Sequence, residues 1–179
     1  YDIERFQQIR DLSAEILNEY TEISNEKIKN LFCNETGYQT PKVDIRGAVF
    51  KDDKILLVKE SIDGCWSIPG GWAEINLSIK ENIVKELLEE AGLNVVPRRL
   101  IAVLDRSKHN HPVTAYGMYK VFVLCELVDG EFEKNMETEE SGFFSLADLP
   151  PLSTERITKE QIAMCFEAKD NDYFLTIFD

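Results

Sequence analysis

The sequence is poor in positive charge, has few histidines and contains no long apolar run. Its 179 residues carry 20 Lys and Arg against 33 Asp and Glu, which gives a formal net charge of −13. Proteins that bind the phosphate backbone of nucleic acids rely on basic patches, so we expect no nucleic-acid partner. No apolar stretch approaches the roughly 20 residues that a membrane-spanning helix requires, so we expect no membrane association.

The four cysteines are too far apart to form a metal-binding or redox pair of the CxxC type. Isolated thiols of this kind are typical of reduced proteins of the cytosol. The first residues, YDIERFQQIR, are neither basic nor apolar enough for a signal peptide. The sequence therefore predicts a cytoplasmic protein with one main hydrophobic core. The cysteines are Cys33, Cys65, Cys125 and Cys165.

The first 40 residues predict a small helical extension, followed by a main domain over residues 41–179. Apolar side chains recur at helical spacing up to Tyr20, and a second short helical segment is predicted within residues 23–32. One interpretation is a helical hairpin packed on its own domain. The other is a contact between two copies of the chain, because two short helices rarely bury all of their apolar surface alone. The second interpretation predicts a homodimer.

From Val43 onward the pattern changes to that of strands. The runs VDIRGAVF and KILLVKE, separated by Asp52 and Asp53, predict an antiparallel hairpin. Two longer strands are predicted at RRLIAVLDR and YGMYKVFVLCEL, and a short one at GFFSL. TKEQIAMCFEAKD has the apolar spacing of a closing amphipathic helix.

A glycine turn followed by an acidic helix is the most informative stretch of the chain. It reads PGGWAEINLSIKENIVKELLEEAGL over residues 69–93. Ser78 and Glu81 form a capping box that predicts the start of the helix. Gly92 is placed to end the helix in a left-handed conformation. The apolar face between these signals consists of Ile83, Val84, Leu87, Leu88 and Ala91.

Three carboxylates of this helix, those of Glu86, Glu89 and Glu90, fall within roughly 100° of one another on a helical wheel. Their mutual repulsion would be offset by a hard divalent ion such as Mg²⁺ or Mn²⁺, which prefers oxygen ligands. A solvated acidic face paired with lysines is the alternative. The turn at Gly70 and Gly71 favours the metal site, because a glycine turn can bring a backbone carbonyl up to the same ions.

This segment resembles the Nudix box of the Nudix hydrolases, which reads Gly, five residues, Glu, seven residues, Arg-Glu-x-x-Glu-Glu-x-Gly and an apolar residue. Leu77 stands where the first Glu belongs, and Lys85 stands where the Arg belongs. Lysine keeps the charge but loses the planar fork of arginine, so the departures bear on efficiency and on the number of metal ions. The positions that match are Gly71, Glu86, Glu89, Glu90, Gly92 and Leu93.

The resemblance covers residues 41–150 and implies the Nudix fold, an α/β/α sandwich with a mixed sheet. It implies a Mg²⁺- or Mn²⁺-dependent hydrolase that cleaves the pyrophosphate bond of a nucleoside diphosphate linked to another moiety. The metal ligands it implies are Glu86, Glu89, Glu90 and the carbonyl of Gly70. The helical extension and the PGGWA(D/E)-x-x-LS opening are similar to the branch that acts on CDP-choline or ADP-ribose. The alternatives are a pyrophosphatase of oxidised nucleoside triphosphates and a Nudix-fold module that senses nucleotides without cleaving them.

An acidic loop precedes the GFFSL strand and contains Glu137, Glu139 and Glu140. It resembles the loop with which Nudix enzymes supply a further metal ligand or the general base. We favour Glu139 for this role because it lies at the centre of the cluster, with Glu137 next. A solvated acidic loop is the alternative interpretation.

Four further residues are candidates for contacts with the substrate. Arg46, Lys108 and His109 are candidates for phosphate contacts, the last two on a polar loop. Trp66 is a candidate for stacking on a nucleobase, although a tryptophan here is more often a packing residue. His109 and His111 have no cysteine or carboxylate motif nearby, so we expect no metal there.

Overall fold

The computed structural model describes residues 2–20, 40–114 and 117–179 of the chain. It divides into two units, Tyr1–Thr40 and Pro41–Asp179. In the first unit the predicted helix is confirmed as α1, Asp2–Tyr20. The second helix predicted within residues 23–32 lies outside the described residues. Six large apolar side chains of α1 are exposed, and these are Ile3, Phe6, Ile9, Leu12, Ile16 and Tyr20.

The second unit contains both strands and helices. Its described strands are β1 (Lys42–Lys51), β2 (Lys54–Glu60), β3 (Trp66–Ser67), β4 (Leu93–Asp105), β5 (Met118–Gly130), β6 (Thr138–Phe144) and β7 (Ile177–Phe178). Its described helices are α2 (Ile79–Ala91), the single turn α3 (Arg106–His109) and α4 (Lys159–Asp170). No helix in the described ranges is long and apolar enough to cross a membrane.

The strands form one mixed sheet in the order β3-β2-β1-β5-β4-β7, with β6 beside β2. β1 is antiparallel to β2 and parallel to β5, and β4 is antiparallel to β5 and parallel to β7. The predicted hairpin of β1 and β2 is confirmed. Its turn consists of Asp52 and Asp53, whose φ angles of 49° and 57° lie in the left-handed region that aspartate tolerates better than most residues.

An apolar cluster covers each face of the sheet. On one face, Ile83, Leu87 and Ala91 of α2 pack against buried side chains of β1 and β5. On the other face, Ile162 and Cys165 of α4 belong to a second buried cluster that includes residues of β4 and β5. α2 and α4 each bury apolar side chains against the sheet, which is the main source of stability for a layered fold. The predicted α/β/α sandwich with a mixed sheet is therefore confirmed. Val84 and Leu88 of the predicted apolar face of α2 are exposed, so the face that is buried is narrower than predicted.

The ends of α2 are set by the residues that predicted them. The Ser78 hydroxyl accepts a hydrogen bond from the backbone N–H of Glu81 at 3.3 Å, and the Glu81 carboxylate accepts one from the N–H of Ser78 at 2.8 Å. Gly92 ends the helix with a φ of 66°, and its N–H donates to the carbonyl of Leu88 at 3.0 Å. These local contacts fix where the helix begins, and with it the position of the acidic side chains.

Candidate active site

The glycine turn runs alongside β1 as a short antiparallel segment. The N–H of Ile45 donates to the carbonyl of Gly71 at 2.8 Å, and the N–H of Gly47 donates to the carbonyl of Pro69 at 3.0 Å. Gly70 lies between them with a φ of 137°, and a Cβ atom at this position would stand 2.0 Å from the carbonyl oxygen of Ile45. Both the backbone conformation and the close approach to β1 require glycine here.

The same two glycines contact the acidic helix. The N–H of Gly70 donates to Oε2 of Glu90 at 2.7 Å. A Cβ atom at Gly71 would lie 3.1 Å from Oε2 of Glu86, so that carboxylate packs directly over the turn. The structure therefore brings together the glycine turn and two of the three helix carboxylates.

The three helix carboxylates differ in burial. Glu90 is 5% exposed, Glu86 is half-buried and Glu89 is exposed. Burial raises the pKa of Glu90 to about 7, although Arg46 and the N–H of Gly70 favour its ionised form. Burial, and then the charge of Glu89, raises the pKa of Glu86. Crowded carboxylates whose ionised forms are disfavoured are the donor set that a divalent cation would stabilise.

Glu89 differs from the other two because it has a lysine partner. Lys85 Nζ lies 3.4 Å from Oε2 of Glu89 and 2.5 Å from Oε1 of Glu74. The alternative of a solvated face paired with lysines thus describes Glu89, whereas Glu90 is buried against the glycine turn. Within the described ranges no three Asp, Glu, His or Cys side chains already converge as a complete set of metal ligands. The metal-binding roles of these residues stay predictions.

A cavity of about 900 Å³ opens beside the glycine turn and is large enough for a nucleotide-sized ligand. One part of its wall is acidic, and another part is cationic. The acidic side chains that line it include Glu60, Glu74, Glu86, Glu90 and Glu137. The cationic side chains that line it are Arg46, Arg106, Lys120 and Arg156.

The loop carboxylates separate into two groups, and Glu137 is the one that lines the cavity. Glu139 and Glu140 lie 3.6 Å and 3.0 Å from Lys59 Nζ. In the β2–β6 pair Lys59 is opposite Glu140 and Glu60 is opposite Thr138, so Glu139 is the extra residue of a bulge. β6 begins at Thr138, so Glu139, at the centre of the acidic cluster, lies in the strand and not in the loop. Of the three loop carboxylates, Glu137 is therefore the one that faces the cavity.

Of the four candidates for substrate contacts, Arg46 lines the cavity. Trp66 packs edge-to-face on Phe144, with ring centroids 4.8 Å apart, and belongs to the border of a core cluster. Lys108 is exposed, and Nε2 of His109 lies 2.6 Å from Oδ2 of Asp179. Trp66, Lys108 and His109 are not among the residues that line the cavity. The structure does not bring these three into the site.

The cationic wall contains residues that the sequence did not single out. Arg106 begins α3, is buried, and donates to the carbonyls of Pro112 at 2.7 Å and Glu155 at 3.2 Å. The single helical turn directs Arg106 inward and the neighbouring Lys108 outward. Lys120 was missed as well, although a lysine inside an otherwise apolar strand was a signal available in the sequence.

Two family models match the chain. Residues 35–165 match the NUDIX domain, and residues 1–32 match a model described as a UDP-X-like, N-terminal oligomerisation domain. A Bacillus subtilis (strain 168) protein named "Putative ADP-ribose pyrophosphatase YjhB" is 48% identical over 179 residues, which is 100% of this chain and 86% of that protein.

The solved structures that are similar to this one include an ADP-ribose pyrophosphatase and a UDP-X diphosphatase. The structure of an ADP-ribose pyrophosphatase from Streptococcus suis 89-1591 is 52% identical, with a TM-score of 0.73, and the match covers 78% of this chain and 100% of that one. The structure of a UDP-X diphosphatase is 33% identical, also with a TM-score of 0.73, and the match covers 97% of this chain and 85% of that one.

Proposed function

The chain belongs to the Nudix family, and we propose that it is a metal-dependent hydrolase that cleaves the pyrophosphate bond of ADP-ribose or a similar nucleoside diphosphate. The observation that carries the proposal is the buried Glu90 carboxylate, held by the N–H of Gly70 at 2.7 Å on the wall of a cavity of about 900 Å³. ADP-ribose is favoured because it appears in the names of the Bacillus subtilis protein and the Streptococcus suis structure.

The residues that would hold Mg²⁺ or Mn²⁺ are Glu86, Glu90 and the carbonyl of Gly70, with Glu89 as a further ligand on the same helix face. Their oxygen atoms and their crowded negative charge fit a hard divalent cation. A bound cation of this kind neutralises phosphate charge and makes the phosphorus more electrophilic.

The chain's own residues would activate water and orient the substrate. We assign Glu137 as the general base, which accepts a proton from water as the water oxygen forms a bond to one phosphorus. The bond from that phosphorus to the bridging oxygen breaks, and the bridging oxygen leaves with the electron pair. The products are two phosphate monoesters. Arg46 faces the same cavity and is held rigid by Asp44 and by the carbonyl of Ile68, 3.0 Å from Nη1, so it is placed to orient a phosphate.

A UDP-linked substrate is the second candidate. Residues 1–32 match a UDP-X-like domain, and the similar UDP-X diphosphatase structure is matched over 97% of this chain. This candidate differs from the first in the base and the linked moiety, and it uses the same carboxylates.

A panel of substrates tests the proposal. ADP-ribose, UDP-glucose, CDP-choline and 8-oxo-dGTP are incubated with the protein and Mg²⁺, and the products are identified by ion-exchange chromatography. We expect ADP-ribose to give AMP and ribose 5-phosphate, with no turnover when EDTA replaces Mg²⁺. A preference for 8-oxo-dGTP would instead indicate a pyrophosphatase of oxidised nucleotides. Binding of nucleotides without turnover of any of them would indicate a sensing module.

We also infer that the protein is a homodimer formed through its N-terminal segment. The exposed apolar side chains of α1 lie within a segment that matches an oligomerisation domain. Helix faces of this kind are buried when two copies associate.

A further inference from the structure

A buried group of charges on the cavity wall contains one residue, Lys120, with no role in the reaction described so far. Asp44 of β1 is the register partner of Lys120 in β5, and Arg46 lies two residues further along the same face of the sheet. Lys120 Nζ donates to Oδ2 of Asp44. Arg46 binds the same carboxylate twice, from Nη2 to Oδ1 at 2.7 Å and from Nε to Oδ2 at 3.2 Å. These side chains are buried, and Lys120 is only 1% exposed.

The charges around Lys120 are not balanced. Burial, followed by repulsion from Arg46, lowers its pKa to about 8 even though Asp44 opposes the shift. Arg106 adds further repulsion. Two guanidinium groups therefore face this ammonium, and a single carboxylate, which Arg46 also uses, lies against it. Glu60 and Glu90 are buried nearby and favour the charged form of Arg46. The charged form of Lys120 stays disfavoured, so an anion bound beside it would stabilise the ammonium.

Lys120, Arg46 and Arg106 line the cavity together, and their position there indicates which anion they would bind. They line the same cavity as Glu86, Glu90 and Glu137. A diphosphate carries negative charge on both phosphates, and the carboxylate wall would weaken its binding when no metal ion is present. On the acidic side of the cavity, metal ions would offset this repulsion. On the other side the cations belong to the protein, in a chain whose net charge is −13.

We propose that Lys120 binds the substrate, with its ammonium donating to a non-bridging oxygen of the diphosphate. Asp44 holds the ammonium in place, and Arg46 in turn binds Asp44. The inference rests on the proposed function. Lys120 would favour substrates that place an anionic group beside this wall.

Steady-state kinetics and binding of Lys120→Gln test this role. Glutamine keeps a hydrogen-bond donor toward Asp44 and removes the charge. We expect the KM for ADP-ribose with Mg²⁺, and its Kd in EDTA measured by calorimetry, to rise about 10- to 100-fold, as for loss of one charge-assisted hydrogen bond. The kcat should stay within about threefold, because Lys120 contacts neither water nor the leaving oxygen in this mechanism.

Lys59→Gln is the matched control. Lys59 also pairs with carboxylates, those of Glu139 and Glu140, but it is not among the residues that line the cavity. Its KM and Kd should remain within about twofold of the wild-type values. A folded Lys120→Gln protein with KM and Kd within twofold of wild type would overturn the inference. If wild-type protein does not hydrolyse ADP-ribose, the proposed function fails, while the Kd comparison in EDTA still decides the role of Lys120.

A measurement on the wild-type protein covers the case in which Lys120→Gln does not fold. With ¹³C-labelled lysine, the Cε–Hε resonance of Lys120 should shift as ADP-ribose is added in EDTA, and that of Lys59 should not. A Lys120 resonance that stays in place at an ADP-ribose concentration that saturates the protein by calorimetry would overturn the inference.

Discussion

The backbone N–H of Gly70 donates to the carboxylate of Glu90, 2.7 Å away and 20 residues further along the chain. This hydrogen bond joins the glycine turn to the acidic helix, and the segment around Gly70 is itself paired with β1 through Ile45 and Gly47. The position of one buried carboxylate is therefore tied to the central strands of the sheet. Substitutions on the two sides of this bond should have different effects, because Gly70 determines backbone geometry and Glu90 supplies a carboxylate that would bind a metal ion.

Gly70→Ala should destabilise the fold. The new Cβ would stand 2.0 Å from the carbonyl oxygen of Ile45, and the φ of 137° is unfavourable for alanine. We expect the free energy of unfolding in urea to fall by roughly 3–5 kcal/mol, from backbone strain and overpacking together. Gly64→Ala is the control, because Gly64 has a φ of 66° and no heavy atom within 4 Å of the place that a methyl group would take. That variant should lose only about 1–2 kcal/mol. Equal losses for the two variants would contradict the prediction.

Glu90→Gln should remove most of the hydrolytic activity and leave the fold intact. The glutamine carbonyl oxygen can still accept from the N–H of Gly70, whereas the charge that would bind a metal ion is gone. We expect kcat for ADP-ribose to fall at least about 10²-fold, with Tm little changed. Glu140→Gln is the control and should keep its activity, because Glu140 pairs with Lys59 and does not line the cavity. Near-normal Mg²⁺-dependent turnover by Glu90→Gln would exclude the assignment.

The parts of the site that the sequence predicted are those controlled by local signals. Ser78, Glu81 and Gly92 set the ends of α2 through contacts within a few residues. Once the helix has those ends, its periodicity places Glu86 and Glu90 on one face. The short spacing between the glycine turn and the helix then allows both carboxylates to contact the turn. None of these steps requires knowledge of distant pairing.

The choice among the loop carboxylates needed long-range information. The bulge opposite Lys59 and Glu60 decides which of Glu137 and Glu139 faces the cavity, and a bulge between distant strands leaves no local pattern in the sequence. The same holds for Arg106, whose burial depends on the carbonyls of Pro112 and Glu155. Lys108, two residues further on, was the more plausible candidate by composition alone.

Glu137→Gln should slow hydrolysis far more than Glu139→Gln. Glu137 lines the cavity, whereas Glu139 lies 3.6 Å from Lys59 Nζ. Loss of a general base typically costs about 10²–10⁴-fold in rate. We expect kcat to fall in that range for Glu137→Gln and to stay within about threefold for Glu139→Gln, measured with ADP-ribose at saturating concentration. The reverse order would restore Glu139 as the base.

Leu12→Glu in α1 should dissociate the proposed homodimer. Leu12 is 58% exposed within the described residues and lies on the apolar face of α1. A charge placed in a dimer contact is costly to bury, so the variant should elute as a monomer of 20.6 kDa, while wild type has twice that mass by light scattering. Gln7→Glu adds the same charge at a polar position of the helix and should remain dimeric. A dimeric Leu12→Glu protein would place the contact elsewhere.

The buried ammonium of Lys120 should make stability depend on pH in a direction opposite to that of a surface lysine. Its pKa in the folded protein is about 8, below the value of about 10.4 in the unfolded chain. Between these values the unfolded state binds more protons than the folded state, so the contribution of Lys120 to the free energy of unfolding rises with pH. Below pH 8 the group is protonated in both states, and this contribution is lost.

Urea unfolding of wild type and Lys120→Gln between pH 7 and pH 10 measures that contribution as a difference, which removes the effect of all other titrating groups to first order. We expect wild type to gain about 2–3 kcal/mol relative to the variant over this range. For Lys59 the pairing with Glu140 raises the pKa, so its contribution is constant over the same range and is lost only at higher pH. The difference between wild type and Lys59→Gln should therefore be flat from pH 7 to pH 10. A flat difference for Lys120→Gln as well would mean that Lys120 keeps an ordinary pKa, and hence that Asp44 fully compensates its charge.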